Sequence, residues 1–591
     1  MRNKYGIMRK RILYMAVSAL FAAGAAAQTE DGSLNREMTI EKDFTPLVRD
    51  ASKINLLPAV EPTAPRRTNV QFSDWTVPVV PSPVLQPLPA AVPVSDEPFY
   101  RKRGYADIAL GNYWNASASA GYRFLDNGKD RLNVWFRHLS THGKTGFADG
   151  EGRTHQRRSD NLLHAGYRHL FDRVIWILEG DYRFDTFNYY GRVTAPAADA
   201  APDRNRMQEV HQYGARTEFV SPKEPAREWY YRLSAGYHRY QNRMGLWYGE
   251  KGVAENLTDV CFELNAPITE SQGIALEGRL DNLIYDNRCG AAYRASCPDN
   301  YSMVSLNPYY RMERDRLKLH AGATVQLSFH NGALVRLAPD VRLSWEFVRR
   351  FFLYSDVLGG KTLHTFASLS NGNGYIDPSQ LPHNSYAPVD WKAGLRANVL
   401  NCLWADLSGG IQCVEGDLFD FSPAGGLYDD AGRVTAPVRP VAGYINRDAF
   451  VWHVGGEVKY TYDKKVDVSV AWRHEIRKTE SLNGTGRTAL KSGRPTDRLT
   501  VRAEATPMPS LSLYADYFMG LGRGVLLGTE TGLVPVPLRD IHELGAGALY
   551  RICDAVHLRV RFDNILNRRY SVYYGMPAQG FRFMAGAGVN F

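Results

Sequence analysis

Arg316-Leu317-Lys318-Leu319-His320-Ala321-Gly322-Ala323-Thr324-Val325-Gln326-Leu327-Ser328-Phe329 reads as two interleaved rows. The odd positions are all apolar; the even ones are Arg, Lys, His, Gly, Thr, Gln and Ser. An extended chain turns successive side chains to opposite faces, so this segment is a strand with one apolar and one polar face. It is also longer than the roughly five or six residues of an ordinary strand. Tilted strands that cross a bilayer need about 9 to 11. The same alternation recurs at 131–138, 228–238, 466–473, 498–505 and 556–563.

Composition agrees once the alternation is known. The chain has 591 residues, 44% hydrophobic and 23% charged. Its mean hydropathy of −0.35 averages each apolar row with a polar one. Beyond the N-terminus no segment holds the roughly 18 uninterrupted apolar residues of a spanning helix. The 25 Phe, 11 Trp and 34 Tyr exclude a disordered chain, which buries too little to use them.

The formal charge is +9. Five of the cations (Arg2, Lys4, Arg9, Lys10, Arg11) precede an apolar run, Ile12 to Ala23, and the small residues Ala25-Ala26-Ala27. That order is the plan of an export signal, predicted to occupy residues 1–27. Without it the charge is nearly balanced, and no concentrated basic face argues for nucleic acid. Residues 28–104 follow as a distinct leader, with Pro58, Pro62, Pro65, Pro78, Pro81, Pro83, Pro87, Pro89, Pro93 and Pro98 favouring extended chain over helix.

Connection lengths test the fold independently. From Tyr105 the alternation yields about 22 candidate strands, in a range of 18 to 22, joined by turns that are short at one end and long at the other. Short turns fall at 126–130, 171–173, 314–315, 463–465, 507–509 and 552–554. Long loops are predicted near 140–158, 188–207, 286–300, 360–388, 414–448 and 478–496, with one short exception at 330–333. The predicted fold is all-β: a large antiparallel transmembrane barrel over 105–591, with turns periplasmic and loops extracellular.

The last strand carries Phe581, Phe583, Ala585, Ala587, Val589 and Phe591 on one face. Gly586, Val589 and Phe591 resemble the terminal signal read by the outer-membrane insertion machinery. Asp563-Asn564-Ile565-Leu566-Asn567-Arg568-Arg569-Tyr570 and the following Tyr573-Tyr574-Gly575-Met576-Pro577 and Gly580-Phe581-Arg582-Phe583 resemble the closing strands of TonB-dependent receptors. The resemblance implies a barrel of 22 strands in the bacterial outer membrane and a role in transport. The family's N-terminal plug is well over a hundred residues long, and residues 28–104 are too few for it. The expectation is a plug-less variant in which residues 28–104 are a periplasmic Pro-rich leader, or a partial plug that enters the lumen from the periplasm.

The polar faces should line that lumen. Candidate lining residues are Arg131, Arg137, Arg232, Lys318, Arg342, Arg473, Arg498, Arg502, Arg559 and Arg561. They would attract anions or an acidic protein segment unless they pair with neighbouring acids. Residues 28–65 hold seven acids (Glu30, Asp31, Glu37, Glu41, Asp43, Asp50, Glu61) and four bases. Cys289 and Cys297 are spaced for a loop disulfide suited to an oxidising compartment. Cys402 and Cys413 fall at opposite ends of one strand, too far apart to bridge.

Trp114, Trp229, Trp247, Tyr189 and Tyr190 read as interfacial girdle residues. His138, His142, His164 and His169 lack the companions of a metal site. No catalytic constellation and no cofactor is expected. The expected partners are outer-membrane lipid, the insertion machinery and a periplasmic or lipoprotein subunit. Two functions follow: passage or binding of a solute, or a non-transporting scaffold whose leader docks partners of an envelope complex.

Overall fold

The computed structural model describes residues 102–192, 206–222, 228–245, 251–286, 299–330, 333–377, 381–400, 402–422, 441–463, 465–482, 486–529 and 532–591, with the backbone of 426–428 and 434–437. The expected signal, nearly all of the leader, the Cys289–Cys297 pair and Trp247 lie outside the described residues.

One sheet of 25 strands dominates. Three of these, Arg487–Ala489, Gly524–Thr529 and Gly532–Pro537, belong to loops at one end, which leaves 22 antiparallel strands in a closed wall. Closure is made by Gly104–Gly111 against Arg582–Asn590, in register from Tyr105↔Asn590 to Gly111↔Met584. In the quoted stretch the alternation sorts as read. His320 Nε2 lies 3.0 Å from Asp340 Oδ2 inside the wall, and Gln326 and Ser328 are buried. On the adjacent strand Val335–Val348, the opposite row Leu337, Leu343, Trp345 and Phe347 is exposed. Continued around the wall, these exposed apolar rows are the belt of a barrel that sits in lipid.

Turns at the end that carries Phe591 are short, such as 270–271, 315–316, 349–350 and 509–510. By the short-turn rule that end is periplasmic. Two of the expected long loops are corrected at the other end. Asp130–Gly146 and Arg153–Leu170 stay paired up to Gly146↔Arg153, so the loop predicted at 140–158 shrinks to 147–152. Leu403–Ser422 and Gly443–Tyr462 likewise extend into 414–448. Beyond the lipid a strand has no apolar face to present, so its ladder continues after the alternation has faded.

The seam is held by side chains as well as by the ladder. His557 Nε2 reaches Asp107 Oδ1 at 2.8 Å, passing over Gly588 on the strand between them. A Cβ on Gly588 would lie 2.1 Å from Asp107 Oδ1 and 2.3 Å from His557 Cε1. Gly588→Val should therefore push the bridge apart. We expect the temperature at which the barrel unfolds in sodium dodecyl sulfate, read as a gel-mobility shift, to fall by about 5 to 10 °C. An unchanged shift would show that the bridge contributes nothing to closure.

Candidate functional site: a charged lumen beneath a docked roof

The inner wall presents charge, and most of it is paired. Of the ten candidate lining residues, Arg131 lies 3.5 Å from Asp126 and Arg137 3.7 Å from Asp160. Arg232 is 2.8 Å from Glu218, Arg342 3.2 Å from Asp340, and Arg473 2.8 Å from Glu475. Arg561 is 2.8 Å from Asp563, and Lys318 pairs with Glu313. Among the described residues Arg498, Arg502 and Arg559 have no acidic partner within 4 Å, and two guanidinium nitrogens of Arg559 are buried without a hydrogen bond. Arg498, Arg502 and Arg561 line a cavity of about 760 Å³ together with Glu504, Tyr514 and Asp516.

The extracellular mouth is built from a different set of residues. Arg183, Gln212, Tyr240, Glu255 and Tyr285 stand opposite one another in register on five consecutive strands and form a single rung. Across this rung lies a short helix, Phe366–Gly372, started by Thr365, whose hydroxyl accepts from Ser368 N at 3.0 Å. The helix is about 10 Å long and neighbouring strands are about 4.8 Å apart, so it reaches several members of the rung. Glu255 is 1% exposed. Its carboxylate accepts from Phe366 N at 2.8 Å and Ala367 N at 3.2 Å. The Phe366 ring stacks on Tyr240 with centroids 6.0 Å apart, and Arg183 Nη1 donates to Asn371 Oδ1 at 2.6 Å. The wall thus satisfies the amides that a helix start leaves free.

Around the helix an aromatic core fills the mouth: Phe187, Tyr189, Tyr190, Tyr240, Tyr285, Tyr301 and Tyr375 pack with Met244, Val441 and Met576. Asn373 Nδ2 donates to Ala442 O, and the Tyr573 hydroxyl donates to Gly372 O. Tyr189 and Tyr190 are therefore not girdle residues. Tyr189 packs edge-on to Phe187 and Tyr190 lies against Tyr375, where inward-turned loops rather than lipid supply apolar contact. Trp114 and Trp229, at 81% and 69% exposure, do stand at strand ends.

A second knot joins the remaining loops. The buried Arg523 side chain donates to Gly493 O at 3.0 Å, Arg539 O at 3.4 Å, Ser571 O at 2.9 Å and Val572 O at 2.6 Å. Asp420 accepts from Gly493 N at 2.7 Å beside it. The Gly524–Thr529 strand then adds to the end of Leu403–Ser422, with Leu526 and Phe419 fully buried.

His364, just before the helix, introduces a pH dependence. The Ser385 hydroxyl donates to Gly416 O at 2.7 Å, so it accepts from His364 Nε2–H at 2.8 Å, which fixes the neutral tautomer. Burial pushes the ring down to about 4, opposed by nearby Asp417 and assisted by Arg494. A released loop protonates near the ordinary histidine value, while the docked one resists. The His364 contribution to docking is therefore at full strength above about pH 6.5 and is lost as pH falls toward 4, by on the order of 3 kcal/mol, while Glu255, which burial raises to about 7 under the docked helix, contributes with the opposite sign over the same range. Because the two oppose each other, the His364 share is read as a difference: hydrogen exchange across 364–377 should be slower in His364→Gln than in the parent at pH 4.5 and equal to it at pH 7. Equal rates in the two proteins at pH 4.5 would show that His364 does not carry the acid weakening.

The other histidines serve the wall. His138 contacts Asn161 and Ser140, His142 stacks near His155, His164 lies against Trp135, and His169 pairs with Asp130. Cys261, Cys402, Cys413 and Cys553 are free thiols. The sequence reading missed Glu255, Phe366 and Arg523. The one local signal was Thr365 with a hydroxyl residue three positions on.

No protein-family model matches the sequence, and no curated protein is similar to it in sequence. Solved structures are similar in fold. The siderophore receptor PirA from Acinetobacter baumannii matches with a TM-score of 0.60 at 12% identity, covering 83% of this chain and 80% of that one. A mutant of the ferric enterobactin receptor PfeA from Pseudomonas aeruginosa, solved with enterobactin, matches with a TM-score of 0.62 at 12% identity over 83% and 81%. FpvA from Pseudomonas aeruginosa, solved with pyoverdine bound, gives 0.59 at 12% over 83% and 72%. The chain thus has the fold of a TonB-dependent receptor barrel of the outer membrane.

Proposed function

We propose that this protein is an outer-membrane transport barrel that admits a solute from outside when its roof undocks. The observation that carries this reading is the lid helix seated on an inner-wall rung above a polar, charged lumen. A conduit needs such a closure, whereas a passive scaffold gains nothing from one. The likeness to siderophore receptors supports the architecture, and their ligands are theirs. Within the lumen, Arg498 and Arg502, which line the open cavity, are the candidates left to act on a passing anion, since Arg559 is largely covered and the others already face acids.

In this reading residues 1–27 direct export, and Gly586, Val589 and Phe591 serve membrane insertion. Residues 28–104 stay on the periplasmic side, where the acidic part partly fills the lumen. The test is conductance of the purified protein in planar bilayers, with and without residues 28–98. Deletion should raise single-channel conductance at least twofold, and adding a roof deletion over 364–377 should raise it further. A doubly deleted barrel that stays silent would exclude a conduit.

A further inference from the structure

The lid occupies the rung as a ligand would. It brings two N–H donors to a buried carboxylate and one aromatic ring to a stacking partner: Phe366 N and Ala367 N to Glu255, and the Phe366 ring to Tyr240. The same ring meets Tyr285 edge-on, at 6.3 Å and 78°. The Phe366 side chain is 0% exposed. No cation lies within ion-pair distance of Glu255 among the described residues; its other donor is the Tyr285 hydroxyl. When the lid leaves, the wall keeps an acceptor-only group between two tyrosine rings, open to the outside and lacking two of its three donors. A buried carboxylate in that state needs new donors.

We propose that Glu255, Tyr240 and Tyr285 form a binding site for an amine-bearing aromatic group, such as a peptide that begins with an aromatic residue, and that Phe366 is its built-in surrogate. A primary ammonium supplies several donors and a full charge to Glu255, where the lid supplies two neutral amides. An attached ring takes the place of the Phe366 ring between Tyr240 and Tyr285, in stacked and edge geometries that aromatic pairs prefer. The ligand competes with the lid for one berth, so binding and opening are the same event. The proposal rests on the transport reading only in taking this ligand to be what the lumen carries.

The test uses the purified full chain in detergent, with phenylalaninamide and its N-acetyl derivative as probes in calorimetric titrations. Phe366→Ala removes the surrogate ring and should bind phenylalaninamide about tenfold more tightly than the parent. In that variant the free amine should outbind the acetylated probe at least about fivefold, and adding Glu255→Gln should remove the preference. Equal affinities in Phe366→Ala and the parent would overturn the proposal, as would a preference that survives Glu255→Gln. Should Phe366→Ala lose its heat-dependent gel mobility, replacing residues 365–372 with a glycine-serine linker carries the same expectations. A chain that conducts but never prefers the free amine refutes this site and leaves transport standing; one that binds but never conducts does the reverse.

Discussion

Arg523→Ala should loosen the roof while leaving the barrel intact. Its guanidinium donates to carbonyls in four places along three loop segments: Gly493, Arg539, Ser571 and Val572. Hydrogen bonds from a charged donor contribute about 1.5 to 3 kcal/mol each when buried, less what the group loses on leaving water. A net loss on the order of 4 kcal/mol is expected, because alanine also leaves four carbonyls without a donor. Burial lowers the proton affinity of the guanidinium, and Asp420 partly offsets that, so the group stays charged across the physiological range. Hydrogen exchange at 489–496, 522–540 and 571–573 should rise by at least about a hundredfold, while the wall strands keep their protection. Arg523→Lys, which lacks the planar fork, should recover less than half of the loss. Unchanged exchange in all three loops would mean that the Gly524–Thr529 strand alone holds them.

The second large effect concerns the rung. Glu255→Ala removes the acceptor of two helix amides and leaves them buried under the roof. At about 1.5 kcal/mol or more for each charge-assisted bond, the docked state loses on the order of 3 kcal/mol, and the undocked fraction rises about a hundredfold. Protease sensitivity within 364–377 and the frequency of open events in bilayers should rise together. Glu255→Gln keeps one carbonyl acceptor and should show an intermediate effect. If cleavage increased without any new open events, the lid would cover the mouth without closing it.

The wall and the roof were legible to different degrees. The row Leu317, Leu319, Ala321, Ala323 faces outward, where lipid penalises polar side chains, so the alternation survives as a plain period of two. The pairing of Arg137, Arg232 and Arg473 with acids could not be read, because partners such as Asp160 and Glu218 sit on neighbouring strands and same-strand acids such as Glu475 look identical to unpaired ones. The roof left still less trace. Glu255 is one more polar residue at a strand start, and Phe366–Gly372 is under two turns, too short to show a helical period. Tyr189 and Tyr190 follow a strand end, as girdle residues do; only the inward fold of 363–377, which brings Tyr375 against them, gives them another place. Such contacts join segments far apart in sequence, which local pattern does not encode.

That separation has a bearing on biogenesis. The Tyr190 hydroxyl donates to Pro577 O at 3.2 Å across 387 residues, and the Arg523 knot ties to residues near the same C-terminal stretch. Long-range contacts of this kind form late, because the chain between them must first be ordered. The last extracellular loop, 564–581, precedes the strand that closes the barrel, so the roof cannot be complete until the wall is nearly so. In the transport reading, a newly inserted molecule therefore closes its wall before its roof is complete, and the speed of loop assembly sets how long the mouth stays uncovered.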